Sequence, residues 1–74
     1  MQDYIISVNK IEELQTIKDV QALESILEKA RRTIISGGAV VLVRELGKGK
    51  QEKFDTITDE GEFKTYRERV FKYL

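Results

Sequence analysis

Between Asn9 and Ser36 the apolar residues Ile11, Leu14, Ile17, Val20 and Leu23 recur every three positions. Nothing else in the chain limits its fold as much. A step of three falls ~60° short of a full turn at 3.6 residues per turn. In one straight helix the apolar stripe would spiral around the axis, and its two ends would face roughly opposite ways. Two helices remove the conflict, with a change of direction near Lys18-Asp19. Asp19 is a favourable N-cap residue. The spacing therefore predicts a short helix over about 10–17 and a longer one over about 20–36.

The ends of these helices carry their own signals. Asn9 with Glu12 three residues on has the pattern of a reciprocal capping box for the first helix. The second helix has one apolar face, Val20, Leu23, Leu27, Ala30 and Ile34, flanked by Ile26. Glu28 and Arg32 stand at i,i+4 on its polar side, and Gly37 is a natural left-handed terminator. Ala39 to Val43 is a nearly unbroken β-branched run that reads as a buried strand. A turn at Gly47-Lys48-Gly49 sends the chain back through Gln51 to about Ile57. A three-residue loop with Gly49 left-handed sets Leu42 opposite Phe54 and Arg44 opposite Glu52. A loop one residue longer sets like charges, Arg44 with Lys53 and Glu45 with Glu52, against each other, which is unfavourable. Asp59 and Glu62 form a second capping pattern, opening a last helix with Phe63, Tyr66, Val70 and Leu74 on one face.

The expected architecture is α+β: one domain over residues 1–74, with helices packed on a two-stranded antiparallel β-hairpin in the order α-α-β-β-α. Tyr4-Ile5-Ile6-Ser7-Val8 in front reads equally as a short N-terminal strand or an ordered arm.

Composition narrows the chemistry. A chain of 74 residues buries only ~60% of the surface it exposes when unfolded, so its margin is thin. It has no cysteine and no histidine. That removes disulfides, thiol chemistry and the commonest metal ligand and neutral-pH base. Packing or self-association are the remaining ways to gain stability. Thirteen basic and thirteen acidic residues give a formal charge of zero. This argues against a free nucleic-acid-binding domain and favours association. With no signal peptide and no membrane-length apolar run, an intracellular, cytoplasmic location is the expectation.

Candidate motifs fail against simpler readings. A phosphate-binding loop needs glycine at position 42 or 44 and Ser or Thr after the lysine. Leu42 and Arg44 stand there, and no Ser or Thr follows Lys48 or Lys50. In a calcium loop starting at Asp55, Ile57 would fall at an oxygen-ligand position and Tyr66 at the last. The acids there suit a helix N-terminus instead. Ser7, Ser25 and Ser36 lack a nucleophile context. The expectation is a non-enzymatic chain with no catalytic residues, no metal, no cofactor and no small-molecule substrate.

Two surfaces stand out for partners. Arg44, Lys48, Lys50 and Lys53 gather around the hairpin, where a basic β-ribbon could follow phosphates or meet a protein. Phe63, Tyr66, Val70, Phe71, Tyr73 and Leu74 are more apolar surface than one narrow stripe requires, and Phe71 and Tyr73 are the candidates for a protein interface.

From about Val20 onward the chain resembles the small phage head–tail joining proteins of the lambda W type. The residues that carry this are LEKARRTIISGG, AVVLVRELGKGKQEKFDT and TDEGEFKTYRERVF. They give an amphipathic helix, a glycine exit, a valine-rich strand, a Gly/Lys turn, a strand ending in Phe-Asp-Thr and a capped helix. The helix at 10–17 and any strand before it depart from that family's pattern. The resemblance implies assembly at a capsid portal as a ring of copies, without catalysis, in a virion-associated protein. The basic hairpin would then face DNA or a portal ring.

Overall fold

Tyr4–Ser7 is a strand (β1), and it pairs in parallel with Val40–Gly47 (β2), in the other half of the chain. This sets the architecture in the computed structural model, which describes residues 3–72 and 74. Helices Val8–Thr16 (α1) and Val20–Ile35 (α2) fill the crossover, and β2 then pairs antiparallel with Lys50–Ile57 (β3). Glu60–Lys72 (α3) completes the order β-α-α-β-β-α. The fold is α+β, but its sheet is mixed and three-stranded, β1-β2-β3, where the sequence pattern predicts a two-stranded hairpin. The N-terminal segment is thus a strand. Its partner rows are Tyr4↔Val40, Ile5↔Val41, Ile6↔Leu42 and Ser7↔Val43.

The helix junction forms where the periodicity places it. Lys18 adopts φ 56°, and Asp19 N–H bonds Leu14 O at 3.0 Å while Lys18 N–H bonds Gln15 O at 3.2 Å. This is the Schellman ending, with lysine in the left-handed position that glycine normally takes. Asp19 then caps α2, its Oδ1 accepting from Ala22 N–H at 3.1 Å. α2 ends in the same way at Gly37 (φ 91°), with Gly38 N–H bonding Thr33 O at 2.9 Å.

The start of α1 differs from the expected capping box. The helix begins at Val8, and Ser7 occupies the cap position without a side-chain cap bond. Asn9 lies inside the helix. Its Oδ1 accepts from Glu45 N–H at 2.9 Å, and its Nδ2 donates to Glu45 O at 3.2 Å. A carboxamide has the donor and acceptor of a peptide group, so Asn9 extends the β1–β2 ladder by one rung after the backbone has turned into the helix. Glu12 is drawn to Arg44 instead of to the helix end.

The hairpin also departs in detail. Arg44 faces Glu52 as expected, but the loop is two residues, Lys48-Gly49, both at positive φ (52° and 75°), as a I′ turn requires. Gly47 pairs with Lys50, and Leu46 is an extra residue on β2. A second irregularity adds Phe54 on β3, so Leu42 faces Asp55 rather than Phe54, and Val43 faces Lys53. One bulge on each strand keeps the rest of the register intact.

All three helices lie on one side of the sheet. A single core cluster draws Ile6 from β1, Ile11 and Leu14 from α1, Leu23, Leu27, Ala30 and Ile34 from α2, Val40 and Leu42 from β2, Ile57 from β3, and Phe63 and Val70 from α3. Leu23, Leu27 and Val40 are the largest fully buried side chains, each worth roughly 1.5–3 kcal/mol of burial. The Cα envelope is 30 × 29 × 16 Å, the thickness of one helix layer on one sheet. No helix packs on the second face of the sheet among the described residues: Ile5 is exposed there, Val41 and Thr56 are half-buried, and Val43 is shielded to 4%.

Candidate interaction site

The uncovered face follows from strand alternation. Tyr4, Ile6, Val40, Leu42 and Ile57 belong to the core or pack against it. Ile5, Ser7, Val41, Val43, Lys53 and Thr56 therefore point the other way, in the rows Ile5↔Val41↔Thr56 and Ser7↔Val43↔Lys53. Ile5 is 58% exposed, Val41 and Thr56 are half-buried, and Val43 is buried but stands outside the core cluster. The face is a small aliphatic field centred on β2, with Lys53 on its β3 side. Parallel pairs are normally covered on both faces, and their strands read as continuous apolar runs. Ala39 to Val43 has that composition, yet only half of it meets helices.

The hairpin cations are spread out by the register. Arg44 lies on the helix side and forms a two-pronged pair with Glu12, at 3.1 and 3.4 Å. Lys48 is at the tip, and Lys50 pairs with Gly47. Lys53 lies across from Val43 on the helix-free face. The four do not line one groove-shaped surface, and Arg44 already has an anion.

Of the two aromatic candidates, Phe71 is half-buried and packs against the core, with the Arg67 guanidinium 5.0 Å from its ring centre. Tyr73 lies outside the described residues. Tyr66 and Leu74 also pack on the core, so much of the aromatic surplus is spent internally. Burial lifts the Tyr66 phenol to about 12, with Glu12 adding to the rise and Arg69 opposing it.

A second feature escapes sequence reading. A slot of 250 Å³ opens between α1, α3 and the hairpin, with Val8, Leu42 and Val70 in its wall and Phe54 at its rim. Phe54 is 52% exposed. Its bulge position is what aims it there, and the only trace in the sequence is a lone aromatic in a charged strand. Two larger depressions are open grooves: one of 680 Å³ between α2 and α3, rimmed by acids and bases of both helices, and one of 610 Å³ beside α2 and β1, rimmed by those of α2. Among the described residues no three acidic side chains are grouped to hold a metal ion. No described helix is long and apolar enough to cross a membrane.

Neither a protein family, nor a curated protein, nor a solved structure matches this chain.

Proposed function

We propose that this chain works by binding another protein through the helix-free face of its sheet, without catalysis. One observation carries the reading: β2 is apolar on both faces from Val40 to Val43, and helices pack on only one of them, leaving Ile5 exposed and Val41 half-buried on the other. Leaving Ile5 and Val41 in water forgoes ~25 cal/mol for every Å² of apolar surface that a partner would bury. The zero formal charge puts no net repulsion between copies, which supports self-association as one form of it. The most specific form is the phage-type head–tail joining protein suggested by residues from Val20 onward. In that form copies assemble as a ring, and β1 and α1 are an addition to the family's pattern.

Sedimentation over micromolar to millimolar concentrations tests this, with wild type beside Val41→Glu. Reversible association that Val41→Glu abolishes, without loss of helix content, is the expected result. A wild type that stays strictly monomeric removes the ring. A second reading, nucleic-acid binding by Lys48, Lys50 and Lys53, draws on their exposure and their lack of ion pairs among the described residues. DNA titration at low salt separates the two, since phosphate contacts strengthen as salt falls.

A further inference from the structure

The slot beside Phe54 carries an inference independent of what covers the sheet. Four charged groups stand at its mouth: Glu12, Arg44, Asp55 and Arg69. Glu12 and Arg44 neutralise each other at 3.1 Å. Asp55 on β3 and Arg69 on α3 do not form an ion pair with each other or with any described residue. Asp55 Oδ1 accepts the N–H of Thr56 at 2.8 Å, which leaves its second oxygen for a ligand. Val8, Leu42 and Val70 line the same slot, and so does Phe54, which is 52% exposed. The volume, 250 Å³, is just below the ~300 Å³ at which drug-sized sites begin.

The geometry points to a binding site for a free hydrophobic α-amino acid: side chain in the slot against Phe54, carboxylate on Arg69, ammonium on Asp55. An apolar group alone would use neither of these exposed charges. A simple carboxylate would meet Arg69 but also the unpaired Asp55, and an amine would have the converse problem. A zwitterion with an apolar side chain answers all three features. Guanidinium recognises carboxylate through paired donors, and an aromatic edge with a few convergent polar groups is the usual make-up of a small-ligand site. Glu62 borders the adjoining depression, which Asp55, Tyr66 and Arg69 also line. Glu62 is held above the usual carboxylate range, first by its hydrogen bond to Asp59 and also by the charge of Asp55.

Chemical-shift titration of the isotope-labelled chain with L-phenylalanine tests the site. Parallel titrations use phenylpropionate, which lacks the ammonium, phenethylamine, which lacks the carboxylate, and glycine, which lacks the side chain. The expected result is saturable shifts at the amides of Phe54, Asp55, Tyr66 and Arg69, with phenylpropionate and phenethylamine each about fivefold weaker, the worth of one exposed ion pair of ~1 kcal/mol, and glycine more than about tenfold weaker for want of the apolar side chain. Arg69→Gln should bring L-phenylalanine down to the level of phenethylamine, and Asp55→Asn to that of phenylpropionate. Both side chains are exposed, so neither variant endangers the fold. The site is overturned if these amides do not shift saturably, if a partial ligand binds as tightly as L-phenylalanine, or if either variant leaves the affinity unchanged.

Discussion

Val40 and Val41 are neighbours on β2 that face opposite sides of the sheet, and replacing each with threonine measures which side is closed. Threonine keeps the β-branch and nearly the same volume, so strand preference and packing are held constant. The change is one methyl to one hydroxyl. Val40 is 0% exposed, and every neighbour in its cluster is aliphatic or aromatic. A hydroxyl there has no side-chain partner, and burying one unpaired costs ~1–3 kcal/mol. Val41 is half-buried on the helix-free face, where its hydroxyl keeps water, so the cost should stay within ~0.5 kcal/mol. A domain of this size holds only about 4–11 kcal/mol in total, at roughly 0.05–0.15 kcal/mol per residue. A loss of ~2 kcal/mol should lower the melting temperature by roughly 8–16 °C. Urea unfolding followed by circular dichroism gives the free energy of each variant and a thermal scan its melting temperature, both at low concentration to keep association out. Equal losses in the two variants would refute the two-layer reading, because they would mean that the chain closes both faces by itself.

The remaining predictions concern single contacts. Lys18 sits at φ 56°, so Lys18→Gly should stabilise the domain by up to ~1 kcal/mol, read as a rise in urea midpoint; no rise would mean that the junction relaxes without strain. Asn9→Asp keeps an acceptor for Glu45 N–H but loses the donor to Glu45 O, and should cost about 1 kcal/mol by the same assay, whereas a true cap residue would tolerate the change. Tyr66 is pushed up to about 12 from 10.0 by burial, so the folded state keeps the proton that the unfolded state gives up. Stability should therefore fall as pH rises from 10 towards 12, and Tyr66→Phe should flatten that fall; an unchanged slope would assign the fall to other groups.

Local chemistry is legible in this sequence where the signal is carried by residues close together. The break at Lys18-Asp19, the Asp19 and Asp59 caps, the Gly37 exit and the α3 face are all set by contacts within one or two turns. What stays hidden is set by pairing across the chain. The capping pattern at Asn9 and Glu12 is locally sound, but both side chains find better partners in β2, at Glu45 and Arg44, once β1 has docked. The two bulges likewise leave no local mark, since an added Leu46 or Phe54 changes only which residue meets which across the ladder. The hairpin cations looked like one cluster because they are close in sequence, and alternation sends them to different sides.

The strand β1 is also what changes the functional argument. With a hairpin alone, β2 would be an edge strand, and a run such as Ala39 to Val43 would be a liability needing cover at its edge. With β1 in place β2 is central, hydrogen-bonded on both sides, and the liability moves from edge to face. The sheet now has two edges: β3, where Lys50, Lys53 and a bulge at Phe54 discourage strand addition, and β1, which is only four residues long. Edge-to-edge growth is thus guarded by charge on the β3 side and by shortness on the β1 side, while on the helix-free face Ile5 and Val41 have only Lys53 as a charge beside them. A partner that meets this chain should stack on its sheet and not extend it. A Lys53→Val substitution separates these modes: it enlarges the face by one aliphatic position and also removes an edge lysine. Association that rises with Lys53→Val and is still abolished by adding Val41→Glu belongs to the face. Association that survives the second change belongs to an edge, and would move the interaction site from the sheet's face to β1 or β3.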